Sequence, residues 1–532
     1  MKLSTPTPDR GWSRALRTHA REWVVLGGAF SPAMLLSTAL IALALLTPML
    51  LFRLERDQAH FAYFADLWLH GVTPYVDVHA HQWPGQYLLY LVALKLFGVN
   101  DLAIRIEDIG LQSACAVALA MLTGRSSRPI LGLVAAIVYT TGYVLIGPWS
   151  TANRETYQAA LLFPVLYWAL YAQLPRSLDR ACAVLSGAIV ALIVLVKPTA
   201  ALVVLPLGAM LVVRAGLPKT ESPPRERLLL ALAGGAGLVS ILAWMYRGHF
   251  AAVFDSLVSF NRELYAKLST PPEMRRALPG ALLTRGLPFL PAACLLLPAS
   301  RRRPALWLLV TELTLVGSIV AQGKGLQYHF ALLTPFSILA WLVCAHSLGE
   351  RLVPCLRRVR SPARQSFAIA LATLGAGLVM PGEDLVVPEQ YLSTVRGWKG
   401  QPRGAFGPKW DAAAAWLRAH GDPTREKIYV FGADDGLQFL LRLPIVSATT
   451  TGILDLRTPE LNFHPLILSR KRELLADLQR ARPEWILVAS FDESWLTRSG
   501  VDSIAAFPEL GAMLRDEYTL KESGEYWFYR RR

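Results

Sequence analysis

Long apolar runs recur along about the first 380 residues of this 532-residue chain. Each run has roughly 16 to 21 residues, which is about the length of a helix that crosses the hydrocarbon core of a bilayer. The pattern predicts about eleven spans, at 32–52, 103–123, 130–146, 158–174, 181–196, 199–213, 227–246, 278–298, 304–321, 328–346 and 366–381. The sequence therefore predicts a polytopic α-helical membrane protein in which residues 1–382 form the transmembrane domain.

Residues 383–532 have a different pattern, which is typical of a soluble α/β domain. Helical periodicity alternates there with short β-rich runs. The predicted elements are helices at 409–420 and 466–481, strands at 427–431 and 484–489, and a hairpin at 518–529. Helices that alternate with strands pack as layers around a sheet.

Composition agrees with this division, since 53% of the residues are hydrophobic and only 17% are charged. The net charge of +15 arises from short basic loops and does not indicate a nucleic-acid partner. Arginines occur before the first span and in alternate loops, at Arg10, Arg14, Arg17, Arg21, Arg125, Arg128, Arg176, Arg180, Arg225, Arg227, Arg301, Arg302, Arg303, Arg357, Arg358 and Arg360. Positive loops stay in the cytosol. We therefore expect a cytosolic N-terminus and, after an odd number of spans, an exported C-terminal domain.

A long polar segment, residues 53–102, follows the first span and is predicted to face outward. It contains two amphipathic helical patterns, 58–70 and 86–97, whose aromatic residues suit a membrane interface. The charged triplet Glu55-Arg56-Asp57 comes directly after the apolar run. Carboxylates at that position cannot face lipid, so they lie in the aqueous layer or line a cavity.

Three motifs in this segment, spread over roughly 35 residues, carry a resemblance to a known class. They are the triplet 55–57, the run Gly71-Val72-Thr73-Pro74-Tyr75-Val76-Asp77, and Pro84-Gly85-Gln86-Tyr87. Together they resemble the first external loop of the GT-C polytopic glycosyltransferases, whose nearest branch includes the protein O-mannosyltransferases and the lipid A aminoarabinose transferases. The resemblance implies a bacterial inner-membrane enzyme that transfers a sugar, with inversion, from a polyprenyl-phosphate-linked donor on the outer face of the membrane.

Asp57 is the general base that the resemblance implies, because it would deprotonate the acceptor hydroxyl. A carboxylate suits that role when partial desolvation raises its pKa. The structural alternative is that Asp57 only caps the helix 58–70. The chain departs from the class at Gln58, where many relatives have a second carboxylate, and at Gln82, where many have a lysine.

The resemblance also implies further site residues, in the same segment and in later loops. Glu55, Asn153 and Glu155 are supporting acidic or acceptor contacts, and Glu155 is equally a favourable first-turn carboxylate. Lys324, Tyr328 and His329 are donor-phosphate ligands, because a leaving phosphate needs cationic or hydrogen-bonding partners. Arg262 and Lys197 are weaker candidates of the same kind, since each can simply end a span.

The sequence is compatible with more than one acceptor, cofactor requirement and mechanism. The acceptor is a glycan, a lipid or a protein, the sequence assigns no metal ligand, and participation of a divalent cation is open. Glu312, in the middle of a span, suits a transporter or lipid flippase. A non-catalytic envelope-assembly subunit would have the same architecture without needing Asp57. The pair Asp434-Asp435 is expected to cap a helix.

Overall fold

A computed structural model describes most of the chain. It covers residues 31–172, 174–213, 223–268, 299–322, 327–352, 406–432, 435–449, 458–491 and 499–532, with single positions at 276, 280, 297, 454 and 456.

Helices dominate the described residues up to position 352. They are α1 Pro32–Leu46, α2 Arg56–Leu69, α3 Pro84–Phe97, α4 Asp101–Ser126, α5 Pro129–Leu145, α6 Arg154–Tyr171, α7 Arg176–Val196, α8 Val204–Val213, α9 Pro224–Met245, α10 Ala299–Gln322 and α11 Thr334–Leu352. Local sequence sets several starts, because proline is the first residue of α1, α3, α5 and α9 and needs no N–H partner there. Asn100 caps α4 by accepting a hydrogen bond from the Ala103 N–H at 2.9 Å.

Five of the described helices are long and apolar enough to cross a membrane. They are Pro32–Leu51, Asp101–Ser126, Arg176–Val196, Pro224–Met245 and Arg302–Gln322. Pro129–Leu145, Pro198–Leu211 and Thr334–Ser347 are shorter apolar helices. The predicted spans at 278–298 and 366–381 lie outside the described residues, so the total of about eleven stays a prediction.

Helices α7 and α9 pack unusually closely through glycine. A Cβ at Gly187 would overlap the carbonyl oxygen of Ala231, and one at Gly234 would overlap that of Val184. At one end of this pair, Arg227 forms a fully buried ion pair with Asp179. Small residues let two backbones approach in a membrane.

The sequence predicted that the segment 53–102 lies along a membrane interface. In the structure, this segment instead folds into the protein. Eleven of the 14 residues of α2 are buried. The cap of α2 also differs from the prediction, because Glu55 is the N-cap and forms a capping box with Gln58. Asp57 lies in the first turn, which leaves its carboxylate free of the capping role.

Residues 406–532, here called the C-terminal α/β region, contain a four-stranded sheet. Its elements are α12 Gly407–His420, β1 Ile428–Phe431, α13 Gly436–Leu441, α14 Pro465–Ala481, β2 Trp485–Ala489, α15 Gly500–Ala505, α16 Pro508–Glu517, β3 Tyr518–Glu522 and β4 Tyr526–Arg531. The strand order is β1-β2-β4-β3, with β1 and β2 parallel and the other pairs antiparallel. The boundary predicted at 383 lies outside the described residues.

The C-terminal α/β region packs directly against the segment 53–102. Arg53 donates to Asp411 at 2.9 Å, and His79 lies 2.6 Å from Glu473. The Tyr63 hydroxyl donates to the Leu443 carbonyl at 3.2 Å. These contacts place the sheet region beside α2, the helix that carries Asp57.

Candidate active site

The start of α6 positions two charged side chains, Arg154 and Glu155. Asn153 caps this helix in a capping box with Thr156. The preceding residue, Ala152, has a φ of 54°, a left-handed conformation that is uncommon for a residue with a Cβ. Two tyrosines hold it there, because the Ala152 N–H donates to the Tyr143 hydroxyl at 2.9 Å and the Tyr90 hydroxyl donates to the Ala152 carbonyl at 2.8 Å.

Glu155 lies at the centre of a buried charge cluster. The Lys197 ammonium forms a short ion pair with one of its carboxylate oxygens, and His329 Nε2 lies 3.5 Å from the same oxygen. Glu155 and His329 are each 2% exposed. Three distant parts of the chain therefore meet at one carboxylate: the start of α6, the end of α7 and the turn before α11.

A glycine in the first segment brings Lys197 close to the loop motifs. A Cβ at Gly85 would overlap the backbone of Leu195 and Val196. Only glycine therefore lets α3 begin against the end of α7, one residue before Lys197. This gives a physical reason for the glycine in the Pro-Gly-Gln-Tyr motif.

Asp57 faces the same cluster from α2. It is half-buried, and it interacts electrostatically with Arg154 and Tyr328. The Arg154 guanidinium donates a short hydrogen bond to the Gln82 side chain. Gln82 therefore holds an arginine that comes from another loop.

Burial shifts the acid–base properties of two groups at this site. It raises the pKa of Tyr265, an effect that Arg154 opposes and Asp57 reinforces. Burial also lowers the pKa of Lys197 to about 8, even though its partner Glu155 acts in the opposite direction. Lys197 is therefore a cation whose charge is sensitive to pH near neutrality.

Gln58 joins the two loops that carry Asp57 and Arg154. Its side-chain oxygen accepts hydrogen bonds from Arg105 at 2.9 Å and from the Glu55 N–H at 3.0 Å. Its amide donates to the Pro148 carbonyl at 2.6 Å and to the Thr151 carbonyl at 2.5 Å. A neutral amide does what a carboxylate cannot, because it accepts from one loop and donates to the other.

The predicted site residues separate into three groups. Asp57, Glu155, Tyr328 and His329 come together. Glu55 and Asn153 are buried and serve as caps of α2 and α6. Arg262 does not join the cluster, because its guanidinium is 75% exposed and pairs with Glu263, and Lys324 lies outside the described residues.

Sequence reasoning missed two groups and underrated a third. Arg154 was not among the predicted site residues, although it interacts electrostatically with both Asp57 and Glu155. Lys197 was considered the weaker choice, yet it pairs directly with Glu155. Arg105 had no sequence signal except that it lies inside an apolar run, where a buried arginine needs partners.

Two further features bear on the alternatives. Glu312 is fully buried in α10, and neither carboxylate oxygen has a hydrogen-bond partner among the described residues. The described part of the chain contains no group of three or more His, Cys, Asp or Glu side chains suited to hold a metal ion.

Comparison with known proteins reveals relatives by structure only. Neither a protein-family model nor a curated protein matches the chain. ArnT from Cupriavidus metallidurans, solved bound to undecaprenyl phosphate, is 15% identical with a TM-score of 0.56, over 93% of this chain and 97% of ArnT. Its apo structure gives a TM-score of 0.54 at 14% identity, over 96% of this chain and 98% of ArnT.

An archaeal protein gives a second match. AglB, the oligosaccharyltransferase from Archaeoglobus fulgidus, solved with an inhibitory peptide and a dolichol-phosphate, has a TM-score of 0.50 at 13% identity. The match covers 94% of this chain and 74% of AglB. The chain therefore has the fold of the GT-C membrane glycosyltransferases, which confirms at the level of fold the resemblance found in the segment 53–102.

Proposed function

We propose that this protein is an inverting membrane glycosyltransferase that uses a polyprenyl-phosphate-linked sugar. One observation carries the proposal. A half-buried carboxylate, Asp57, faces a buried cluster that contains Arg154, Lys197 and His329. A base on one side and cations on the other are what a single displacement at an anomeric carbon requires.

In the proposed reaction, Asp57 accepts the proton of the acceptor hydroxyl. The hydroxyl oxygen forms a bond to the anomeric carbon, and the bond from that carbon to the phosphate oxygen breaks. The electron pair leaves with the lipid phosphate, whose added negative charge Arg154 and Lys197 stabilise. Tyr328 and His329 complete the phosphate side as hydrogen-bond donors.

An apolar cavity supports a lipid donor. Its volume is about 430 Å³, and side chains of α6, α7, α8 and α9 line it. The cavity reaches Leu195, two residues before Lys197. A prenyl chain in this cavity would end at the cationic cluster, which is where its phosphate is needed.

The location follows from the same proposal. The site lies on the side of the helices that carries the segment 53–102, which the arginine distribution assigns to the outer face. The protein would then be a multi-pass protein of the bacterial inner membrane, with the C-terminal α/β region outside.

The test is release of free polyprenyl phosphate by the purified protein in proteoliposomes. A panel of polyprenyl-phosphate sugars is supplied together with envelope extract as acceptor. Wild type should release the lipid from at least one donor, and Asp57→Asn should lower that rate by at least about 100-fold, because general-base catalysis contributes roughly 10² to 10⁴.

A matched control is Asp77→Asn, which changes an exposed carboxylate in the same segment that bonds only the Thr73 N–H in its own turn. This variant should keep the wild-type rate. Equal release by wild type and Asp57→Asn would exclude Asp57 as the base. No release from any donor by folded protein would favour a carrier or an assembly subunit.

A further inference from the structure

A buried histidine links the helix of Asp57 to the C-terminal α/β region. His60, three residues after Asp57 in α2, is 9% exposed. Its Nδ1 lies 2.7 Å from the Asp435 carboxylate, and its Nε2 lies 3.2 Å from the Tyr87 hydroxyl. Both ring nitrogens therefore have a partner, one of them 375 residues away in the chain.

Asp435 lies at the N-cap position of α13 but does not cap that helix with its side chain. The capping hydrogen bond expected of the pair Asp434-Asp435 is therefore not made by Asp435, and Asp434 lies outside the described residues. One carboxylate oxygen bonds His60, and the other is buried without a hydrogen-bond partner among the described residues.

Such an arrangement has a cost. An aspartate that is 3% exposed loses its hydration, and one of its carboxylate oxygens has no hydrogen-bond partner among the described residues to replace it. A role in fold stability alone would be met better by an apolar side chain of similar size. The cost suggests that the contact serves the site.

The partners of His60 are themselves held firmly. The Phe64 ring stacks on the Tyr87 ring at 5.4 Å between centroids, and the His60 ring lies 4.5 Å from the Phe64 ring. Tyr87 belongs to α3, the helix that Gly85 seats against the end of α7. His60 is thus fixed from two sides, by the C-terminal α/β region and by α3, the helix that packs against the end of α7.

We propose that Asp435 is a positioning residue for the transferase reaction, acting through His60 on the helix that carries Asp57. The contact sets the rotation and the height of α2 against the cationic cluster. This inference rests on the proposed function. It gives the C-terminal α/β region a direct part in the geometry of the site. A displacement of about 1 Å at a reacting group can reduce a rate by about 100-fold.

The test compares two contacts that cross between the same regions. Asp435→Ala removes the partner of His60, whereas Glu473→Ala removes the partner of His79, which is not in α2. For Asp435→Ala we expect kcat for polyprenyl phosphate release to fall about tenfold or more, with KM for the donor changing less than about threefold. Asp435→Asn keeps an acceptor oxygen and should recover most of that loss.

A second measurement does not depend on turnover. Amide hydrogen exchange of residues 56–63 should rise in Asp435→Ala and stay at the wild-type level in Glu473→Ala. If Asp435→Ala does not fold, Tyr87→Phe replaces it, because it removes only the hydroxyl that contacts His60. The same pattern, at smaller amplitude, is expected for that variant.

Two results would overturn the inference. One is an equal loss of kcat and of thermal stability in Asp435→Ala and Glu473→Ala. Both contacts would then only hold the two regions together. The other is unchanged exchange at 56–63 when Asp435 is lost. Absence of turnover in wild type would instead contradict the proposed function. The hydrogen-exchange measurement would still test whether Asp435 holds α2 in place.

Discussion

At the scale of single residues, the main feature of the site is a buried lysine that is paired with a carboxylate and yet has a lowered pKa. Lys197 follows the last residue of α7 and bonds Glu155, yet burial lowers its pKa to about 8. Desolvation weakens the charged form of a lysine even where an acid is close. In the proposed function Lys197 is a phosphate ligand, and its charge would then depend on pH between about 7 and 9.

This residue predicts a pH dependence of donor binding. Lysine carries its charge below its pKa, so the cation is present at pH 7 and mostly lost at pH 9. Affinity for polyprenyl phosphate should fall about tenfold over that interval, equivalent to about 1.4 kcal/mol. The second pKa of a phosphate, about 6, lies below the interval and adds no slope. The measurement is a Kd titration of detergent-solubilised protein at pH 7, 8 and 9.

The control for this titration is Lys197→Met, which keeps the length of the side chain and cannot titrate. Its affinity should be weaker at pH 7 and nearly constant up to pH 9. A wild-type Kd that does not change with pH, or the same slope in Lys197→Met, would contradict the assignment. Arg262→Gln, which alters an exposed arginine, should behave like wild type.

The sequence could indicate residues of the site only where a local motif marked them. Asp57 could be predicted because it follows an apolar run in a recognisable loop. The pairing of His60 with Asp435 could not be predicted, because no local pattern encodes a contact across 375 residues. The capping role of Glu55 was missed because the helix begins two residues earlier than its apolar periodicity indicates.

At the scale of elements, the packing of α7 on α9 shows how glycine sets the distance between two helices. The backbone of one helix occupies the space where a side chain of the other would lie, at both Gly187 and Gly234. These two helices also line the apolar cavity proposed for the prenyl chain. Their separation therefore affects both stability and the width of that cavity.

A pair of alanine substitutions tests this packing. Gly187→Ala should lower the free energy of unfolding by about 1 to 3 kcal/mol, the usual cost of overpacking. Gly237→Ala, in α9, is the control, because a Cβ there meets nothing within 4 Å. It should be neutral or stabilising, since alanine favours helix. Thermal unfolding in detergent measures both, and equal midpoints would contradict the close contact.

Element prediction worked where the apolar period was uninterrupted. The strands at 428–431 and 485–489 and the helices α12 and α14 lie within a few residues of their predicted positions. Periodicity did not reveal that α2 is buried on nearly all sides. Its polar residues, such as His60 and Gln58, look solvent-facing in sequence but find partners on other elements.

At the scale of the whole molecule, the described chain joins two regions through contacts that lie around α2. The C-terminal α/β region reaches the segment 53–102 through Arg53, Tyr63 and His79. Hydrophobic residues from both sides, among them Phe61 and Trp410, belong to one continuous core. The region is therefore an integral part of the site's scaffold.

The contact of His79 with Glu473 gives this docking its own pH dependence. Burial, reinforced by Arg470, lowers the pKa of His79 below its usual value, and Glu473 only partly opposes this. Just below pH 6.5 the folded protein then binds fewer protons than the unfolded chain, so stability rises with pH there and is lost as the pH falls. The change should stay below about 1 kcal/mol, since both side chains are partly exposed.

Thermal midpoints between pH 5.5 and 7.5 measure this effect by comparison with His79→Gln. The variant should have a flatter profile than wild type across that range, because glutamine does not titrate. Identical profiles would show that other groups control the docking. A wild-type midpoint that increases toward acid would mean that the opposite sign holds for His79.

The 375 residues between His60 and Asp435 also have a consequence in time. A ribosome that adds about 5 to 20 residues per second needs roughly 20 to 75 s to travel that distance. Until then every span can insert while α2 lacks its buried partner. If Asp435 positions α2 as proposed, the newly made protein lacks an assembled site until the C-terminal α/β region has been synthesised, and a chain released earlier would be embedded in the bilayer but inactive.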